Sequence, residues 1–158
     1  MSEASVRAFF AEKAPDVPII DQGVSTATVV EAAAALGVEP ARIAKTLSLR
    51  VGGQVALVVA RGDARLSNGK AKAALGAKPR MLGAEEVEAI TGHPVGGVSP
   101  FGLAAPLPVY CDVSLQAFET VFPAAGSRTA SVELTPARLA ELTDARWIDA
   151  CTLPEEVA

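Results

Sequence analysis

From Ala89 to Cys111 the chain runs for 23 residues without a formal charge. That length matches a bilayer-spanning helix, which needs about 20 residues. Yet the run holds Pro94, Pro100, Pro106 and Pro108, together with Gly92, Gly96, Gly97 and Gly102. Proline removes a helical N–H and clashes with the preceding turn, and glycine gives up backbone entropy, so a continuous helix is excluded. Irregular backbone facing lipid would leave its polar groups unpaired. The run is therefore read as loop and strand covered by protein, and the rest of the chain has to supply the cover.

It has the means to do so. Half of the 158 residues are hydrophobic and 20% are charged, which excludes disorder over most of the length. One ordinary domain over 1–158 is expected. With 31 alanines and only 4% aromatics, the core should consist of small aliphatic side chains. The opening MSEASVRAFFAEKAPD carries acidic groups and no apolar stretch, so no signal peptide is read there and no membrane partner is expected. Cys111 and Cys151 are too few for a disulfide scaffold, and a reduced, cytoplasmic setting is the expectation.

Local signals place the elements. Ser2 is suited to cap a helix over residues 3–14, with Val6, Phe9 and Phe10 on one stripe. Thr28 and Glu31 have capping-box spacing in a helix expected over 26–36, which Gly37 ends. Pro40 opens a short helix to about Lys45. Residues 46–51 and 54–60 flank Gly52-Gly53 and read as a tight β-hairpin. Further helices are expected from Ser67 or Asn68 to Leu75, over 84–90, and from Pro136 to about Leu142. Val109, Cys111 and Val113 alternate as the buried face of a strand, and strands are also expected over 119–122, 129–134 and 146–150. Interleaved helices and strands with hairpins predict a mixed α/β (α+β) domain.

The charge is unevenly spread. Residues 61–80 carry six basic groups and one acidic group, whereas the chain as a whole is at −4. Such a protein is not expected to present a broad duplex-binding face to DNA, but it can meet a polyanion over a small footprint.

Standard catalytic machinery is mostly missing from the sequence. His93 is the single histidine, no CxxC or paired Cys/His spacing occurs, and neither a P-loop nor a GxGxxG motif is present, so no metal or cofactor is expected. A Ser–His–Asp set would have to use His93 with Ser99 and Asp112, without a GxSxG elbow. Two glycine loops remain, Gly96-Gly97-Val98-Ser99-Pro100 and Pro123-Ala124-Ala125-Gly126-Ser127. Loops of this kind can aim N–H groups at a carbonyl oxygen, although taken alone they read as turns. Lys45, placed at a helix-to-strand junction, reads alone as a charge favouring the helix C-terminus.

In combination these features say more. Lys45-Thr46-Leu47 ahead of a GG hairpin, GGVSPFG at 96–102, PAAGS at 123–127 and the AKAALG segment at 71–76 resemble the YbaK/prolyl-tRNA synthetase-associated domain family. The resemblance runs from about Pro18 to Trp147, and Gly96 to Pro100 with the upstream lysine is its most specific part. It implies a mixed, largely antiparallel sheet with flanking helices. It also implies hydrolysis, without a cofactor, of the ester joining a wrong amino acid to the terminal adenosine of a tRNA, usually the proline tRNA. The implied partners are the tRNA acceptor end and prolyl-tRNA synthetase. By the same resemblance Lys45 is the functional lysine, and Gly96 and Gly97, with Val98, Ser99 and Pro100, form the loop that holds the aminoacyl carbonyl. Thr46, Gly126 and Ser127 join the substrate-binding set, and either Ser25 or Thr26 lines the amino-acid pocket. The KTL form is similar to the cysteinyl deacylase branch, except that Ser131 stands where that branch carries Asp. A small wrong amino acid such as alanine, cysteine or 2-aminobutyrate is the expected acyl group, an aliphatic one foremost. Two other readings stand beside it: a module that binds aminoacyl-tRNA without turnover, and an esterase built on His93 and Ser99.

Overall fold

The computed structural model describes residues 2–154. Helix α1 (Ser2–Lys13) buries Val6 and Phe10 as the stripe predicts. Strand β1 (Ile20–Asp21) is followed by helix α2 (Val29–Leu36), which starts three residues later than expected. Thr28 is the reason. Its backbone is extended, and its hydroxyl accepts the Glu31 N–H at 3.1 Å, so it serves as the N-cap and leaves Thr26 and Ala27 in a loop.

Pro40 opens only a 3₁₀ turn (Pro40–Arg42), and strand β2 (Ile43–Val51) follows at once. Lys45 is therefore the third residue of a strand and does not sit at a helix end. Ladder pairing accounts for the difference. β3 (Gln54–Arg61) pairs with β2 across Gly52-Gly53 from Val51↔Gln54 down to Ala44↔Arg61, which draws Ala44 and Lys45 into the sheet, and Ile43 pairs with Phe122.

The remaining elements are β4 (Arg65–Leu66), α3 (Asn68–Leu75), β5 (Pro79–Met81), α4 (Ala84–Thr91), β6 (Val109–Asp112), β7 (Phe122–Pro123), β8 (Ala130–Ser131), α5 (Pro136–Thr143), β9 (Arg146–Ile148) and β10 (Cys151–Thr152). Ser67 caps α3 and Thr135 caps α5 through their hydroxyls. Val113 leaves the expected strand and is 40% exposed. The Asp112 carboxylate accepts the Ser114 N–H at 3.0 Å and the Ala150 N–H at 2.7 Å, which turns the chain there. The expected strands around the second glycine loop shorten to β7 and β8, extended by the bridges Val121↔Leu134 and Ala124↔Ser131.

The main sheet has the order β5-β2-β3-β6-β9, with β7 also paired to β2. β2 is antiparallel to β3 and β5, whereas β7–β2, β3–β6 and β6–β9 are parallel. Two short antiparallel ribbons, β1–β8 and β4–β10, complete the mixed α/β architecture.

The principal core joins α1, β3, β6 and α5 through Val6, Phe10, Leu57, Val59, Cys111, Leu115 and Leu139. Phe101, in the uncharged run, is 1% exposed, with ring centroids 4.7 Å from Phe10 and 5.4 Å from Phe9. Helix α1 thus supplies cover for the run, and no described helix is long and apolar enough to cross a membrane.

Candidate active site

A cavity of about 300 Å³ opens between β2, the loop before α2 and the uncharged run. Lys45, Thr46 and Ser48 line it from β2, Thr26 and Thr28 from the loop, and Gly96 and Val98 from the run. Ala32, Ile43, Leu82, Val87 and Phe122 give it apolar walls, and Ser131 reaches it from β8.

Lys45 is held by backbone. Its ammonium donates to the Gly62 carbonyl at 3.2 Å and to the Ala64 carbonyl. Gly62 is closely packed, since a Cβ there would lie 2.2 Å from the Pro40 carbonyl oxygen. Both acceptors therefore belong to a turn pressed against the 3₁₀ segment. Burial pulls the Lys45 pKa below the usual lysine value, opposed in part by the Asp63 carboxylate. An ammonium has three N–H donors, and two are engaged.

The first glycine loop is a turn closed by a bond from the Gly97 N–H to the Pro94 carbonyl at 2.9 Å. Gly96 occupies its third position with φ of 90°, in the left-handed region. Among the described residues the N–H groups of Gly96 and Val98 have no acceptor, and both residues line the cavity. Arg128 ties the surrounding loops together. Its Nε donates to the Val95 carbonyl at 2.9 Å, and its own carbonyl accepts the Thr26 N–H at 2.6 Å and the Thr26 hydroxyl at 3.1 Å.

The fold brings Lys45, Thr26, Thr46, Gly96 and Val98 together and leaves the other expected residues outside the lining. Ser25 is exposed and accepts the Ala27 N–H at 3.3 Å. Gly97 has its N–H in the turn, and Pro100 is buried. Ser99 is 0% exposed and accepts the Phe101 N–H at 3.2 Å. Gly126 packs on the first turn of α1, and the Ser127 hydroxyl donates to Glu3 at 3.1 Å. These residues brace the loops.

Ser48, Leu82 and Arg128 went unnoticed in the sequence. Only Ser48 carried a signal, because strand alternation puts it on the face of Thr46. The Thr46 and Ser48 hydroxyls share a further property: both are buried without a hydrogen-bond partner.

The His93–Ser99–Asp112 set does not assemble. His93 is 0% exposed; its Nε2–H donates to the Phe101 carbonyl at 2.8 Å, and its Nδ1 lies 2.9 Å from the Ser2 hydroxyl. Burial holds its pKa below the ordinary imidazole value, against the opposing bond to Phe101. Ser99 and Asp112 make the separate bonds given above. Burial also pushes the Cys111 and Cys151 thiols up to about 12, which leaves them protonated. Among the described residues no cluster of His, Cys, Asp or Glu is arranged to hold a metal.

Residues 61–80 bring basic groups to the surface. Arg61 pairs with Asp63 at 2.6 Å and Lys70 with Asp149 at 3.3 Å. Arg65, Lys72, Lys78 and Arg80 are exposed.

Comparison with known proteins finds relatives along most of the chain. The profile described as "Aminoacyl-tRNA editing domain" matches residues 24–142. The "Uncharacterized protein YwhH" of Bacillus subtilis (strain 168) is 49% identical over 96% of this chain and 98% of its own length. The "Putative Cys-tRNA(Pro)/Cys-tRNA(Cys) deacylase EbsC" of Enterococcus faecalis (strain ATCC 700802 / V583) is 36% identical over 76% of this chain and 74% of its own. A crystal structure described as "a putative trans-editing enzyme for prolyl tRNA synthetase" superposes with a TM-score of 0.88 at 33% identity, covering 96% of this chain and 97% of that one.

Proposed function

The chain belongs to the aminoacyl-tRNA editing domain family, and from that membership and the cavity we propose that it is a trans-acting deacylase of mischarged tRNA. It acts as one domain over 1–158, on proline tRNA carrying a small wrong amino acid, in association with prolyl-tRNA synthetase. The observation that carries this reading is the pair of unpaired N–H groups at Gly96 and Val98 beside the same cavity as Lys45.

An aminoacyl ester is already activated, so positioning and oxyanion donors can replace a strong nucleophile. The Gly96 and Val98 N–H groups receive the ester carbonyl. As water adds to the carbonyl carbon, negative charge builds on that oxygen and both bonds strengthen. Collapse breaks the C–O bond to the ribose, the ribose oxygen takes up a proton, and the free amino acid leaves. One donor of this kind contributes about 10²–10³-fold in rate. In this assignment Val98 takes the donor role that the sequence had given to Gly97.

Lys45 acts as a cation. Its two carbonyl acceptors fix the ammonium and leave one N–H for an oxygen of the terminal nucleotide. The acceptor end approaches across the basic surface of Arg65 and Arg80.

Single-turnover hydrolysis with saturating protein tests this reading. Release of amino acid from at least one mischarged proline tRNA is expected, with Lys45→Ala at least tenfold slower. Full activity in that variant overturns the role of Lys45, and retention of the intact ester on bound protein favours a module that binds without turnover.

A further inference from the structure

Two hydroxyls in the cavity wall have nothing to bond to. Thr46 Oγ1 and Ser48 Oγ are buried and lack any protein partner, and Ser48 is 4% exposed as a residue. Native proteins keep few such groups, because a buried hydroxyl that has lost water and gained no partner destabilises the fold. Their placement limits what could complete them. Thr46 and Ser48 stand two apart on β2, so their side chains share one face about 7 Å apart along the strand. Both line the cavity together with the apolar Ile43, Leu82 and Val87 and the polar Thr26, Thr28 and Ser131. No Asp or Glu lines that cavity and the Lys45 ammonium already does, so a second cation is disfavoured beside the pair. A hydroxyl pair of this kind suits a neutral group that both donates and accepts. A turn about χ1 is enough to direct either oxygen at such a group.

We propose that the Thr46 and Ser48 hydroxyls bind the side-chain hydroxyl of the misattached amino acid, making this chain selective for seryl and threonyl esters over alanyl and 2-aminobutyryl esters. The proposal rests on the deacylase reading and replaces the expectation of an aliphatic acyl group. A site built to bond a substrate hydroxyl discriminates strongly against the analogue without one, because its own polar groups are then left unpaired. Here no protein atom pairs with either hydroxyl. An apolar side chain would leave both unpaired, and a hydroxyl would complete them.

The test uses the full chain and proline tRNA charged separately with serine, threonine, alanine and 2-aminobutyrate, read as single-turnover rates. Seryl or threonyl ester should be cleaved at least tenfold faster than both aliphatic esters. Ser48→Ala and Thr46→Val should each lower that ratio at least fivefold. Thermal melting gives a readout apart from activity: Ser48→Ala should melt no lower than the parent, because it deletes an unpaired hydroxyl and leaves a methyl in apolar surroundings. Equal rates on all four esters, or a ratio unchanged in both variants, overturn the proposal while leaving the deacylase reading intact. Ser48→Ala melting well below the parent also overturns it, since the hydroxyl would then have a partner within the protein. Failure to cleave any of the four esters overturns the deacylase reading and this inference with it.

Discussion

Replacing Gly96 with alanine strains the loop that carries the two free N–H groups. At φ of 90° an L side chain sits in the left-handed region, at a strain of about 1–2 kcal/mol. The added Cβ would also lie 2.9 Å from the Ala27 Cβ and 3.3 Å from its Cα. Backbone cannot swing aside as a flexible side chain does, and such overpacking costs about 1–3 kcal/mol. Together the two effects put Gly96→Ala at about 2–5 kcal/mol, a large share of the roughly 5–15 kcal/mol that holds a domain folded. With a urea slope of about 1–3 kcal/mol/M, the unfolding midpoint should fall by about 0.7 M or more, the ratio of these quantities. If the strain is relieved locally instead, the 94–98 turn moves away from Ala27, and deacylation falls at least tenfold with a smaller midpoint shift. Urea titration and single-turnover hydrolysis on the same sample separate the two. Gly53→Ala is the control, since its φ is not positive and a Cβ there meets nothing within 4 Å. A Gly96→Ala protein with parental midpoint and parental rate would refute the close approach to Ala27 and the need for glycine at this turn.

His93 and the basic surface give two further tests. His93 is wholly buried and its folded-state pKa is depressed by that burial. Its contribution to stability is therefore complete above the unfolded value of about 6.5 and is lost as pH falls below it. Unfolding midpoints measured between pH 7.5 and 5.5 should decline with acid, with a slope of at most about 1.4 kcal/mol per pH unit from this group. His93→Gln should be less stable at pH 7.5 and show a flatter dependence; parallel curves would contradict the assignment. For the acceptor end, kcat/KM should fall with added salt, and the double substitution Arg65→Ala/Arg80→Ala should raise KM more than it lowers kcat. If each arginine meets one phosphate, the log–log salt slope shrinks by about 1.4 in the double variant. A slope identical to the parent's would place the tRNA elsewhere.

Several parts of the fold were legible without coordinates because their causes lie within a few residues. Thr28 and Glu31 cap α2, Gly52-Gly53 turns the β2–β3 hairpin, and Ser67 caps α3, each through contacts spanning no more than four positions. The proline and glycine content of the uncharged run likewise excluded a membrane helix from composition alone. Boundaries were less legible where partners are remote. Lys45 joined a strand because β3 pairs down to Ala44, and Val113 left one where the Asp112 carboxylate caps the turn through the Ser114 N–H and also accepts that of Ala150, far along the chain.

The site divides in the same way. The sequence narrowed the chemistry to a lysine with glycine-loop backbone or to His93 with Ser99, since it offers a single histidine and no metal motif. Tertiary structure decided which atoms are free to do it. The Gly97 N–H closes a turn, whereas those of Gly96 and Val98 stay open; His93 is bonded into the core; and Ser48 stands unpaired beside Thr46. The acceptor that engages a donor lies anywhere from three residues away, as Pro94 does from Gly97, to about a hundred, as Arg128 does from Thr26. Residue identity and spacing carry no record of that pairing, and only the packed chain brings the groups within hydrogen-bond distance.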